Sequence, residues 1–221
     1  MDIADKIREW HKMMPAGVEL VAVSKFHPVS MIQEAYDAGQ RVFGESRVQE
    51  FIEKHKELPD DIQWHFIGHL QTNKVKLIIG KTALIESVDS ERLLNLINNE
   101  SEKINVVTDV LLQVHVAAEE AKFGFYPDEL KDFFKTEKHK LMGNIRIRGL
   151  MGMATNTDVE RRVKEDFRIL ATLFQEIKEN KSLTLENFDK LSMGMSGDWK
   201  MAIEEGSNIV RIGSAIFGTR I

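Results

Sequence analysis

Residues 18–30 read VELVAVSKFHPVS. Val18, Leu20, Val21, Ala22 and Val23 form a short apolar run of the kind that a strand covered on both faces requires. A single lysine, Lys25, stands at its end, and His27-Pro28 closes it. A lysine is almost never fully buried without a partner. Lys25 therefore either marks the solvent end of a strand or stands there for its chemistry, and this window alone leaves both open.

The same pattern recurs along the chain. Apolar runs at 18–25, 41–46, 62–70, 83–89, 109–117, 144–154, 188–195 and 208–218 alternate with segments of helical periodicity. Ser30 is placed to cap the first crossover helix and Gly39 to end it, Ser90 to cap another, and Pro127 suits a first helical turn. NKVKLIIG at 73–80 is one of the helical segments, and the longest helical pattern spans about residues 158–180. Strand–helix alternation predicts a parallel sheet with right-handed crossovers. Eight such units in one chain predict an α/β fold, a single (β/α)8 TIM-type barrel; a doubly wound open sheet is the competing architecture. Residues 1–15 are amphipathic and predict an extra N-terminal helix packed on the barrel, so that 1–221 is expected to be one domain.

Composition narrows the function. The 221 residues are 43% hydrophobic and 29% charged, with net charge −5 and no basic block, which argues against a nucleic-acid partner. There is no cysteine, so disulfides and thiolate chemistry are excluded. The seven histidines show no metal-ligand spacing, and no metal site is expected. No window approaches 18 apolar residues and the N-terminus has no signal-like apolar core, so no membrane association and a cytoplasmic location are expected.

In barrels of this type, chemistry gathers at the C-terminal ends of the strands. Lys25, Glu45–Ser46, His65–His69, Met151–Met153, Ser192–Ser196 and Arg211–Ser214 fall there. Arg211 interrupts the apolar run NIVRIGSAIF and shares parity with Gly213, so both should face one side. A buried arginine paired with an acid across the barrel, or one that contacts a ligand, would each explain it.

The motifs AVSKFHP, FGESRVQE, WHFIGHLQTNK, KFGF, IRGLMGMAT and LSMGMSGDWKMAIEEGSNIVRIGSAIFG, in this order over residues 18–220, resemble the pyridoxal phosphate homeostasis family (PROSC type). That family's fold resembles the barrel domain of alanine racemase. The resemblance implies that Lys25 carries pyridoxal 5′-phosphate (PLP) as an internal aldimine. It further implies that Ser196, Gly213 and Ser214, with Gly197 beside them, cradle the phosphate, and that Arg211 hydrogen-bonds the pyridine nitrogen. The family asparagine is replaced here by Ser46, which is shorter and lacks an amide's donors. His65 is an open case between a core histidine and one flanking the cofactor. Met151, Met153, Met193 and Met195 read as packing near it. Glu119, Glu120 and Lys122 read as a charged loop, with Lys122 a candidate contact for a second PLP.

The implied function is intracellular PLP homeostasis or delivery, with PLP and PLP-dependent apoenzymes as partners and no residue assigned to turnover. A PLP-dependent amino-acid racemase is the alternative. Against it stand an arginine in place of a carboxylate at the ring nitrogen, and a chain expected to end after strand eight with no second domain to supply a tyrosine base. Outside PLP chemistry, a Schiff-base barrel of aldolase type would use the same lysine.

Overall fold

In the computed structural model, residues 2–119, 121–183 and 185–218 are described. Eight parallel strands close into a barrel in chain order: β1 (Glu19–Val23), β2 (Val42–Glu45), β3 (Gln63–Phe66), β4 (Leu84–Val88), β5 (Thr108–Val114), β6 (Ile145–Gly152), β7 (Lys190–Met195) and β8 (Ile209–Ile212), with β8 pairing back onto β1. The helices are α1 (Ile3–Met13), α2 (Val29–Asp37), α3 (Val48–Glu57), α4 (Glu91–Lys103), α5 (Pro127–Lys135), α6 (Glu160–Glu179), α7 (Trp199–Glu204) and α8 (Ser214–Phe217). The (β/α)8 barrel with an extra N-terminal helix is the observed architecture.

Local chemistry explains most boundaries. Asp2 caps α1 by accepting from the Asp5 N–H at 2.7 Å, and Ile3, Ile7 and Trp10 form its buried face. Trp10 meets Trp199 of α7 edge-on at 5.2 Å, which seats the helix on the barrel's outer layer. Ser90 caps α4 as expected, accepting from the Leu93 N–H, and Pro127 is the first residue of α5. Ser30 does not cap α2. Pro28 holds that position in extended conformation and Ser30 lies within the first turn, while Gly39 follows the helix end with φ +103°. The crossover between β3 and β4 is a 3-10 helix, Thr72–Leu77, rather than an α-helix. Val75 and the adjoining Ile78, three residues apart, are both fully buried, which matches three residues per turn.

Two apolar layers follow from the strands. The outer one, between strands and helices, holds Phe43, Phe51, Phe66, Leu94, Leu150 and Leu170 among many others. Inside the barrel, Val21, Leu84, Leu111, Met151 and Ile209 form a separate small cluster. Simple parity does not assign residues to these layers on β6. Ile147 belongs to the outer layer and Met151, four residues on, to the inner one. The reason is a bulge: Val110 pairs with Ile147 but Leu111 pairs with Gly149, so Arg148 has no opposite number and the strand flips faces. Gly149 allows this because a Cβ there would overlap the Lys190 carbonyl of β7. A second irregularity on β7, where Ser192 and Met195 pair with Ile209 and Arg211, passes through Gly194 at φ +96°. It turns both Ser192 and Met195 inward.

Gly149→Ala is expected to destabilise the barrel by about 3 kcal/mol or more, since backbone rather than a flexible side chain must yield. For a chain of this size that lowers Tm by roughly 6–12 °C. Calorimetry checks it, and an unchanged Tm would contradict the bulge as a fixed feature.

Candidate functional site

Inward-facing residues alternate along β1 as Glu19, Val21 and Val23, and Lys25 continues the series in the turn beyond the strand. A cavity of about 290 Å3 opens at this C-terminal rim. Val23 and Lys25 line it from β1, Ile67 from β3 and Met153 from β6. Met195, Ser196 and Gly197 reach it from β7, and Arg211, Gly213 and Ser214 from β8. All five residues singled out in the sequence, Lys25, Ser196, Arg211, Gly213 and Ser214, therefore meet in one space.

The corner between β7 and β8 is built from small groups. The Ser214 hydroxyl lies 3.4 Å from the Ser196 hydroxyl. A Cβ on Gly197 would meet nothing within 4 Å, so the chain leaves room there. Gly213 approaches β1 closely, and a Cβ on it would come within 3.3 Å of Val23. The turn is tied by Asp198, whose carboxylate accepts from the Met195 N–H. Burial raises the Asp198 pKa, opposed by that hydrogen bond and by the charge of Arg211.

Arg211 is 4% exposed and its guanidinium is held within the barrel. Nη2 donates to the Gly152 carbonyl at 2.9 Å, and Nη1 donates to the Ser192 hydroxyl and lies 3.5 Å from Glu86 Oε2. Burial lowers its pKa, and Glu86 and Asp198 push it back up. Glu86, on β4, is fully buried and also accepts from Ser192 and pairs with His65 Nδ1 at 2.7 Å. His65 Nε2 is 3.8 Å from Glu19, which is 3.5 Å from Lys190. A chain of ionisable side chains thus crosses the barrel from β7 through β1, β3 and β4 to β8.

His65 is therefore a buried member of this chain and does not line the cavity. Met153 and Met195 line the cavity, Met151 packs in the inner apolar layer beneath, and Met193 faces the outer layer. Lys122 Nζ donates to the Ala154 carbonyl at 2.7 Å and pairs with Glu119 at 3.0 Å, away from the cavity lining. The backbone N–H of Asn156 and then Lys122 hold the Glu119 carboxyl down to about 2. Glu120 lies outside the described residues. Ser46 is not a lining residue; its backbone crowds Gly68, where a Cβ would collide with it.

Sequence reading missed Glu86 and His27. Glu86 carried a signal, a lone carboxylate inside the apolar run ALIESV, matching the lone arginine inside NIVRI. His27 lines the cavity, is 6% exposed and stacks on Phe217 at 5.2 Å; nothing in its sequence setting distinguished it from a loop residue. Among the described residues, no group of three or more His, Asp or Glu could hold a metal, and no helix is long and apolar enough to cross a membrane.

A family model described as the alanine racemase N-terminal domain matches residues 2–221, and that is the class of barrel defined by this fold and rim. A pyridoxal phosphate homeostasis protein of Aquifex aeolicus is 43% identical over 203 residues, covering 91% of this chain and 87% of its own. One of Schizosaccharomyces pombe is 42% identical over 208 residues, covering 92% and 85%. The structure of PipY from Synechococcus elongatus with PLP bound superposes with TM-score 0.87 at 34% identity, over 98% of this chain and 100% of the other. The chain belongs to the pyridoxal phosphate homeostasis protein family.

Burial alone would raise the Glu86 carboxyl, but His65, Arg211 and Ser192 outweigh it and hold it below the ordinary value of 4.5. A lowered folded pKa contributes stability above the unfolded value that is lost as pH falls through the folded one. Glu86→Gln leaves Arg211 buried without its counter-charge and is expected to cost about 3 kcal/mol at pH 7. The deficit relative to the parent should shrink as pH falls below about 4.5. Urea unfolding across this range reads both, and a deficit independent of pH would contradict the assignment.

Proposed function

We propose that this chain binds PLP in the rim cavity and serves PLP homeostasis, holding the cofactor and handing it to PLP-dependent apoenzymes in the cytoplasm. One observation carries the reading. A single cavity brings a lysine amine, a corner of two serine hydroxyls and two glycines, and a buried guanidinium together. That donor set fits PLP, an aromatic aldehyde with a phosphate at one end, and the open space beside Gly197 suits the anion. The PLP-bound relative supports the same choice.

In this reading Lys25 is the residue to which the aldehyde carbon is attached. Ser196, Gly197, Gly213 and Ser214 hold the phosphate where barrels of this class commonly bind it, after strands seven and eight. Arg211 faces the ring nitrogen. A guanidinium has five donors, and Ser192 and Gly152 engage its Nη1 and Nη2 from within the protein, so its direction is set before any ligand arrives. Val23, Ile67, Met153 and Met195 supply the apolar walls that a flat ring needs. Bound PLP supplies an electron sink for amino-acid chemistry. An arginine, always protonated, offers the ring nitrogen no proton acceptor and leaves that sink weak.

A holding role is favoured over racemisation by the placement of the tyrosines. Tyr36, on α2, donates its hydroxyl to Asp61 at 2.6 Å, and Tyr126 stacks on His115 at 4.9 Å. Neither lines the cavity, so neither stands as a second base opposite Lys25. The chain is proposed to act as one domain.

Borohydride reduction of the PLP-loaded protein followed by peptide mapping tests the reading. The pyridoxyl label is expected on Lys25 and is lost in Lys25→Ala, with the fold retained. A label that persists in that variant overturns the assignment.

Ser196→Ala and Ser214→Ala are each expected to weaken PLP more than pyridoxal, which lacks the phosphate. A hydrogen bond to a charged group contributes roughly 1.5–3 kcal/mol, about 10- to 100-fold in Kd. Equal weakening of the two ligands, measured by titration, would place these serines away from the phosphate.

A further inference from the structure

Lys25 stands between two residues that one cluster of charged side chains, buried at Lys54 and Glu45 and half-buried at Glu50, holds from behind. On one side is Phe26, whose φ of +68° is uncommon and costly for an aromatic residue. Glu50 Oε2, on α3, accepts from the Phe26 N–H at 2.8 Å, and the Arg47 guanidinium lies 4.3 Å above the Phe26 ring. On the other side is Ser24. Its carbonyl accepts from Lys54 Nζ at 2.9 Å, and its hydroxyl donates to Glu45 Oε1 at 2.7 Å.

Lys54 joins the two halves. Its ammonium lies 2.7 Å from Glu45 Oε1 and 3.3 Å from Glu50 Oε2. The Lys54 and Glu45 side chains are 7% and 0% exposed, so these charges are taken out of water. Burying them is costly unless each is well paired. Every acceptor around Lys54 belongs to residue 24 or makes a hydrogen bond to residue 24 or 26. Glu50 and Lys54 are four apart on α3 and share one face. None of Glu45, Glu50 and Lys54 lines the cavity.

We propose that Glu50 is a positioning residue for Lys25: its carboxylate holds the left-handed turn at Phe26 that aims the Lys25 amine into the cavity, and Lys54 anchors Glu50 to Glu45 and Ser24. This rests on the reading of Lys25 as the attachment residue. The phosphate corner and Arg211 belong to β7 and β8 and do not pass through this turn. Attachment does, because an amine released from its fixed direction loses effective concentration at one carbon of a bound aldehyde. The cluster therefore governs how the cofactor is divided between attached and merely bound forms, which is the property a protein that both stores and releases it would set.

The experiment compares the parent chain with Glu50→Ala, which removes the acceptor, and Glu50→Gln, which keeps an oxygen acceptor in the same place. Two quantities are read: the fraction of bound PLP that borohydride fixes to Lys25, and the Kd of pyridoxine 5′-phosphate, which carries an alcohol in place of the aldehyde and cannot attach. The second also reports whether the variant is folded. Glu50→Ala is expected to lower the attached-to-unattached ratio about tenfold, the order for one lost charge-assisted hydrogen bond. Its affinity for pyridoxine 5′-phosphate should be unchanged, and Glu50→Gln should recover most of the ratio. An unchanged ratio in Glu50→Ala, a parallel loss for both ligands, or a glutamine variant as defective as the alanine one overturns the proposal. A labelled parent with an unaffected variant overturns this inference alone, whereas a parent with no label at Lys25 overturns the attachment reading and this inference with it.

Discussion

A guanidinium inside a barrel of apolar strands is tolerable only if an opposite charge lies beside it and its N–H groups find acceptors. Arg211 meets that constraint through Glu86, Ser192 and the Gly152 carbonyl. Those partners come from β4, β7 and β6, so the strands must close for the charge to be satisfied at all. Glu86 in turn draws in His65, and through it Glu19 and Lys190. The barrel's interior is thus divided. A small apolar cluster of Val21, Leu84, Leu111, Met151 and Ile209 fills the space, and a crossing chain of ionisable side chains fixes the direction of Arg211 toward the rim.

The rim takes its shape from how the backbone departs from regular strands. The bulge at Arg148 switches β6 from outward Ile147 to inward Met151 and Met153. The irregularity at Gly194 keeps both Ser192 and Met195 inward, one to hold the arginine and the other to line the cavity. Without these shifts the alternation of faces would send Met153 and Met195 toward the helical layer. The left-handed Phe26 is a third departure, at the residue after Lys25, and it too is enforced by neighbours rather than by its own preference. The departures at Gly194 and Phe26 lie next to the cavity, where strain and bulges are commonly found in functional sites, whereas the bulge at Arg148 lies toward the far end of the barrel, against Asp109 and Lys190.

Much of this molecule was legible in its sequence. Eight apolar runs separated by helical periodicity specify a closed α/β barrel because a parallel sheet needs crossovers and two covered faces. The position of Lys25 at a strand end, and the shared parity of Arg211 with Gly213, also survived, since both follow from the two-residue repeat of a strand whose register is regular. Ser196 and Ser214 follow different strands, and it was the family resemblance rather than their residue types that implied the corner their hydroxyls form at 3.4 Å.

What only the tertiary structure decided are the matters that depend on non-local pairing. Sequence periodicity cannot register a bulge, so the opposite faces of Ile147 and Met151 had no local signature. Ser30 looked like a cap, but Pro28, already locked in an extended conformation, took that place. His65 looked as much like a site residue as a core residue, and Glu86, brought next to it by strand pairing, made it a core residue. Glu86 and Arg211 are 125 positions apart, and Glu45, Glu50 and Lys54 reach the Lys25 turn from a different strand and helix. A one-dimensional pattern records which residues can be buried; which charges are buried together is set only when the barrel closes.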